Sequence, residues 1–299
     1  MEEIKEWHWE ITKKCNLKCK HCLSDCGKPS LRELKIEEAA RAVKLIKTLG
    51  CQRVMLTGGE PMCYQGFRRI LEECKDQSIS VDFITNGILL TPEIVEEISD
   101  QVEEVAISVD GSRQETNDYL RGTGTFEIAT HAIKLLVEKV PVSVFITALK
   151  SNLDEIKDII ELSWSLGSTR VHVSEINISG RALSRREIFA LSSNQKLQLK
   201  KLASDMTEMS SPIKGCDINS SVLYISSDGL VYPCVEVALC SPKSFLGDIR
   251  NDDIKEDLLG AKSFFESGNK TKCCYELFVG NNLVFYLNTQ DRCCLAERG

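Results

Sequence analysis

Along the first two thirds of the chain, short runs of apolar and β-branched residues alternate with longer stretches whose apolar positions return every three or four residues. The short runs are Trp7 to Thr12, Arg53 to Thr57, Ser80 to Thr85, Glu104 to Val109, Val142 to Leu149 and Arg170 to Ile176, and their length and bounding turn residues predict strands. Between the first two, Leu34 to Leu49 places Ile36, Ala39, Ala40, Val43, Leu45, Ile46 and Leu49 on one helical stripe that Gly50 ends. Phe67 to Cys74, Pro92 to Ser99, Phe126 to Val137, Leu153 to Leu166 and Asn194 to Met209 repeat the theme, with Pro92 suited to a first helical turn and Gly167 to a helix end. Strand and helix in strict alternation predict βα units on a parallel sheet. Six units are too few for a closed eight-stranded barrel. The expected fold is therefore α/β, a partial (β/α)6 TIM-like barrel over residues 1–210.

The alternation stops near Ser211-Pro212. Val222 to Ser226, a turn at Ser227-Asp228-Gly229 and Leu230 to Tyr232 predict a β-hairpin, and short helices and loops rich in cysteine follow. Residues 211–299 are expected to form a small second domain. Parallel βα folds gather their chemistry at the carboxyl ends of the strands. There the chain carries Cys15 after the first strand, Gly58-Gly59-Glu60-Pro61 after the second, Thr85-Asn86-Gly87 after the third, and Ser108 with Asp110-Gly111 at the fourth.

Composition narrows the class. Lys and Arg number 37 against 44 Asp and Glu, a net charge of −7 with no basic stripe, so neither nucleic acid nor an anionic membrane is an expected partner. The acidic N-terminus is no secretory signal and no apolar run is long enough to span a bilayer, so a cytoplasmic protein is expected. Fourteen cysteines then need an explanation other than disulfides, which a reducing compartment disfavours. Cys15, Cys19, Cys22 and Cys26 crowd the start, and Cys216, Cys234, Cys240, Cys273, Cys274, Cys293 and Cys294 fill the end. None lies between residues 75 and 215. Two metal-type clusters are the simplest account, with Cys51, Cys63 and Cys74 read as core or surface residues.

Cys15, Cys19 and Cys22 form Cys-x3-Cys-x2-Cys in the loop after the first strand. Three thiolates hold three corners of an iron-sulfur cubane and leave one iron open for chemistry, whereas structural zinc needs a fourth protein ligand, here His21 or Cys26. Together with Gly58-Gly59-Glu60-Pro61 and Asn86-Gly87 in the same order, this spacing resembles the radical S-adenosylmethionine (radical SAM) superfamily over roughly residues 5 to 185. The resemblance implies that Cys15, Cys19 and Cys22 ligate a [4Fe-4S] cluster whose open iron is chelated by SAM. It implies that Gly58 and Gly59 let the backbone approach the methionyl end and that Glu60 accepts from the SAM ammonium. Asn86 and Ser108 would meet its ribose or methionyl part, and Arg121 its carboxylate. His21 stands where the family more often has an aromatic residue.

Cys216, Gly229 and Cys234 make Cys-x12-Gly-x4-Cys, which with Leu246-Gly247-Asp248-Ile249 resembles the SPASM and twitch extensions of that family. One cysteine from each adjacent pair, taken as Cys273 and Cys293, completes four ligands for one closed auxiliary [4Fe-4S] cluster. Zinc on the same four thiolates remains the alternative. Cys240, in the loop past Cys234, is the candidate hydrogen-atom donor, with Cys26 a weaker one. His8, His131 and His172 lack metal spacing and are expected to be structural, and Trp7 and Trp9 alternate with His8 as on a half-buried strand.

The implied activity is reductive cleavage of SAM to a 5′-deoxyadenosyl radical that abstracts hydrogen from a substrate C–H bond. The first expectation is an oxidoreductase or epimerase acting on a ribosomally made peptide. Alternatives are an aminosugar or aminocyclitol epimerase or dehydrogenase, and a non-catalytic iron-sulfur electron-transfer module. No separate domain precedes Cys15 in the sequence, which leans toward a small molecule or short peptide. An external reductant such as flavodoxin or ferredoxin is the expected protein partner.

Overall fold

A computed structural model describes residues 4–205, 222–251 and 253–258. Six strands, β1 (Glu6–Thr12), β2 (Arg53–Gly58), β3 (Ser80–Thr85), β4 (Glu104–Ser108), β5 (Val142–Ala148) and β6 (Arg170–Glu175), lie side by side in sequence order and run parallel. Helices α1 (Ile36–Thr48), α2 (Phe67–Asp76), α3 (Pro92–Ile98), α4 (Gln114–Arg121), α5 (Thr125–Leu136), α6 (Ile156–Ser165), α7 (Arg186–Phe189) and α8 (Ser193–Asp205) connect or follow them. This is the open (β/α)6 partial barrel that the hydrophobic pattern predicts. One face of the sheet packs on the helices: Trp7, Trp9, Val54, Leu56, Phe83, Val105, Val142 and Val144 are fully buried in one core with Ile46 of α1 and Ile133 of α5, while alternate residues of β2 and β6 stay part-exposed.

Local chemistry sets the helix ends. Thr91 caps α3 by accepting from Ile94 N at 3.3 Å with Pro92 behind it, and the Glu38 carboxylate returns to Lys35 N at 2.8 Å at the start of α1. Helix α4 was not visible as a periodic stretch, because only Asn117 and Leu120 of its eight residues are buried. Its successor α5 is capped by Asp118, which accepts from Gly124 N at 2.6 Å and Phe126 N at 2.9 Å.

The predicted hairpin forms as β7 (Val222–Ile225) and β8 (Leu230–Tyr232), followed by α9 (Val235–Cys240) and β9 (Gly247–Asp248). It does not stand apart from the barrel sheet. Strand β7 adds parallel to β1, and β8 and β9 continue antiparallel, giving one nine-stranded sheet. Ser227 Oγ donates to the buried Glu10 carboxylate of β1 at 3.1 Å, stitching the turn to the barrel. Cys240 ends helix α9 rather than lying in a loop, a correction to the sequence expectation. Cys216, Cys273 and Cys293 lie outside the described residues.

Candidate active site at the carboxyl ends of the strands

The register of β1 on β2 slips between Glu10 and Thr12, and the chain then leaves the sheet into the loop carrying Cys15, Cys19, Cys22 and Cys26. The loop's first part is held by the β2 end. Gly59 N donates to Thr12 O at 2.8 Å and Glu60 N to Lys14 O at 2.9 Å. A Cβ on Gly58, whose φ is +147°, would overlap the Thr12 carbonyl. One on Gly59 would overlap the Lys14 carbonyl and come within 2.8 Å of Cys15 Cβ. The two glycines are thus required by the cysteine loop itself, in addition to any room they leave for a ligand.

The Glu60 carboxylate is wholly buried and accepts from Thr85 Oγ1 at 2.8 Å, Asn86 N at 2.9 Å and Met62 N at 3.3 Å, so it locks the β2 and β3 ends together. Burial pushes its acidity constant up to about 7 despite these donors. Asn86 Nδ2 then donates to Asn16 Oδ1 at 2.7 Å, joining β3 to the loop beside Cys15, and Ser108 ends β4 half-buried.

Arg121 is also committed inside the protein. Its Nε lies 2.6 Å from Asp110 Oδ2, and His21 Nε2 reaches the same oxygen at 2.9 Å. All three side chains are buried, and Asp110 Oδ1 accepts in addition from Thr147 N at 2.7 Å. Burial alone would raise the Asp110 acid, but the charges of Arg121 and His21 outweigh it and hold the carboxyl well below its usual range. Arg121, expected to meet a SAM carboxylate, forms an ion pair with Asp110 within the protein. The sequence placed Asp110 at a strand end without assigning it a partner.

The thiols themselves differ. Cys15 Sγ accepts from Leu17 N and Cys22 Sγ from Cys26 N, both at 3.4 Å. Burial pushes the Cys15 thiol up to about 12, whereas the neighbouring Cys26 thiol and N–H outweigh burial and bring Cys22 down to about 5. Cys26 is buried and its thiol lies against Cys22. The donor set fits an iron-sulfur cluster: three half-buried thiols on one loop, N–H groups on two sulfurs, and the Arg121 charge near Cys19. Zinc would need a fourth ligand: His21 turns Nε2 to Asp110 and leaves its buried Nδ1 unpartnered, while Cys26 lies against Cys22.

The remaining sequence expectations divide simply. Cys51 and Cys74 are core residues, and His172 stacks on Phe145 with ring centroids 4.5 Å apart, a packing role. Cys234 caps the start of α9, half-buried.

Comparison with known proteins completes the identification. The family model of the radical SAM superfamily matches residues 9–163, just over half of the chain, and the chain belongs to that superfamily. An AdoMet-dependent heme synthase of Methanosarcina barkeri is 29% identical over 86% of this chain and 82% of its own length. Mycofactocin maturase MftC of Mycolicibacterium smegmatis is 33% identical over 58% of this chain, which spans only 45% of that protein. Sporulation killing factor maturation protein SkfB of Bacillus subtilis is 28% identical over 75% of this chain and 58% of its own length. Among solved structures, Streptococcus suis SuiB bound to S-adenosylmethionine superposes with a TM-score of 0.68 at 17% identity, over 84% of this chain and 64% of that one, a likeness of fold. The relatives with SPASM or twitch extensions fit the subgroup that the C-terminal cysteines resemble. Among the described residues no helix is long and apolar enough to cross a membrane.

Proposed function

We propose that this chain is a radical SAM enzyme that modifies a ribosomally made peptide, by epimerisation or two-electron oxidation. When bound, a [4Fe-4S] cluster and SAM supply a 5′-deoxyadenosyl radical able to abstract hydrogen from an unactivated C–H bond. The chain's own residues hold and orient. Cys15, Cys19 and Cys22 provide the ligand sulfurs. Glu60, through Thr85 and Asn86, fixes the β2 and β3 ends beside them, and Asn86 and Ser108 are the polar groups left to meet SAM.

The carrying observation is the Cys15–Cys26 loop, fixed to the carboxyl ends of β2 and β3 by Gly59, Glu60 and Asn86. Peptide substrates are supported by the maturase relatives. A second reading, chemistry on a tetrapyrrole, is favoured by the heme synthase match, which spans more of both chains. A single auxiliary cluster on Cys216, Cys234, Cys273 and Cys293, a boundary near residue 210, a hydrogen-donor role for Cys240 and reduction by flavodoxin or ferredoxin belong to this proposal and rest on the sequence.

The test is anaerobic. Reconstituted protein with reductant and SAM is expected to release 5′-deoxyadenosine, and absence of release with a filled cluster would overturn the enzyme reading. With a candidate peptide in deuterated water, epimerisation adds one deuteron, oxidation removes two hydrogens, and turnover of a porphyrin substrate alone selects the second reading. Cys240→Ala should turn a completed epimerisation into stalled turnover.

A further inference from the structure

The segment after β6 reaches back across the whole sheet to the cysteine loop. Arg181 N donates to Cys22 O at 3.0 Å, its Nε to Cys19 O at 2.8 Å, and its Nη1 to Cys26 O at 2.6 Å and Asp25 Oδ1 at 2.7 Å. Ser179 Oγ donates to Leu23 O at 2.9 Å. Gly180 between them has φ +51°, and a Cβ there would overlap the Cys22 and Leu23 carbonyls. Ser179 and Arg181 thus bind the carbonyls of Cys19, Cys22, Leu23 and Cys26, and Gly180 lets the backbone between them come close enough to do so.

We propose that Arg181 is a positioning residue for the cluster: its forked guanidinium closes the Cys19–Cys26 turn from the β6 side and so sets where the Cys19 and Cys22 sulfurs stand relative to Cys15. This rests on the reading of those cysteines as cluster ligands. A planar guanidinium with fixed N–H directions suits this task, since it can meet two carbonyls and a carboxylate at once, whereas an ammonium group on a flexible stem meets them as a point. The Arg181 side chain is half-buried, with 22% of it exposed, and two of its three partners are main-chain carbonyls of the loop. Its charge also acts on Cys19 and Cys22 together with that of Arg121, which favours the reduced, more negative state of a cluster held there.

Arg181→Ala and Arg181→Lys decide it through two readouts. Amide exchange of residues 19–26 in metal-free protein is expected to rise about tenfold in Arg181→Ala with β1 to β5 unchanged, the effect of losing charge-assisted hydrogen bonds from one turn. After anaerobic reconstitution, Arg181→Ala should hold less iron per chain and show a lower midpoint potential. Arg181→Lys should recover the potential but not the exchange protection, because it restores charge without the fork. Unchanged exchange in Arg181→Ala overturns the proposal, and so does a rise spread evenly over the whole barrel, which marks a merely structural residue. Wild-type protein that takes up no iron would instead sink the cluster reading, while the exchange result still judges the clamp.

Discussion

The two ends of the cysteine loop are held by different means. The Cys15 end is fixed by main chain: it continues β1, lies against Gly58 and Gly59 of the neighbouring strand, and has no room for a Cβ at either glycine. The Cys19–Cys26 end is fixed by side chains from distant parts of the chain, Asp110 and Arg121 from the β4 side and Arg181 from the β6 side, with Lys20 N bound to Leu120 O at 2.8 Å. Backbone pairing leaves a site few degrees of freedom, while long polar side chains hold a loop only as well as their own partners hold them. The second end should therefore be the one where single substitutions separate stability from cluster geometry.

The sharpest way to break this contrast is Asp110→Ala. It leaves the Arg121 guanidinium buried without its counter-ion, and loss of one partner of a buried pair costs about 3–5 kcal/mol. Thermal melting of metal-free protein reads the cost, which should be smaller in Asp110→Ala/Arg121→Met, where neither charge remains. A melting temperature unchanged in Asp110→Ala would mean that the second end is not held by this pair.

Gly59→Ala attacks the other end. The new Cβ meets backbone, which cannot move away cheaply, so a cost of about 1–3 kcal/mol is expected, with iron uptake falling alongside stability because Cys15 Cβ is displaced as well. If iron uptake survives at the wild-type level, the glycine is not what seats Cys15.

Glu60→Gln is expected to cost about 1–3 kcal/mol, since the amide turns a donor toward either Thr85 Oγ1 or Asn86 N. The pH dependence follows from its raised acidity constant. The buried carboxyl stabilises the fold fully below its unfolded value and loses that contribution as pH rises through about 7, so the wild type's resistance to chemical denaturation should fall across that window and that of Glu60→Gln should not.

The smallest effect belongs to Glu155. It binds Ser112, Thr116 and Arg113 below the β4 end, and although burial raises its acid, these bonds outweigh it and lower the acidity constant. Its contribution is present above the unfolded value and lost as pH falls through the lowered one. Glu155→Gln should flatten that acid limb by about 1 kcal/mol without altering iron uptake, and any change in iron content would tie the β4 support to the cluster loop.

The six strands were legible as short runs rich in apolar and β-branched residues bounded by turn residues, and the helices between them because their buried stripes repeat every turn. Helix α4 was not, since Asn117 and Leu120 alone carry no period. The ligand cysteines were legible from spacing. Glu60, Gly59 and Arg121 were legible as site residues, but their internal partners, Thr85 and Asn86 for Glu60, the Lys14 carbonyl for Gly59 and Asp110 for Arg121, were not, because sequence gives residue types at strand ends and not which way a side chain turns there.

What the amino-acid sequence determined alone is local: the alternation of strand and helix, the thiols on the loop after β1, the glycines and acid after β2, and through them the superfamily. What only the tertiary structure decided is pairing across distance. Asp110 meets His21 and Arg121, β7 joins the barrel at β1, and Arg181 closes on a loop about 160 positions before it. The physical reason is that a parallel sheet brings the carboxyl ends of all its strands to one rim, so residues remote in the chain become neighbours there. A polar group buried at that rim must find its partner among them, and no local pattern records which one.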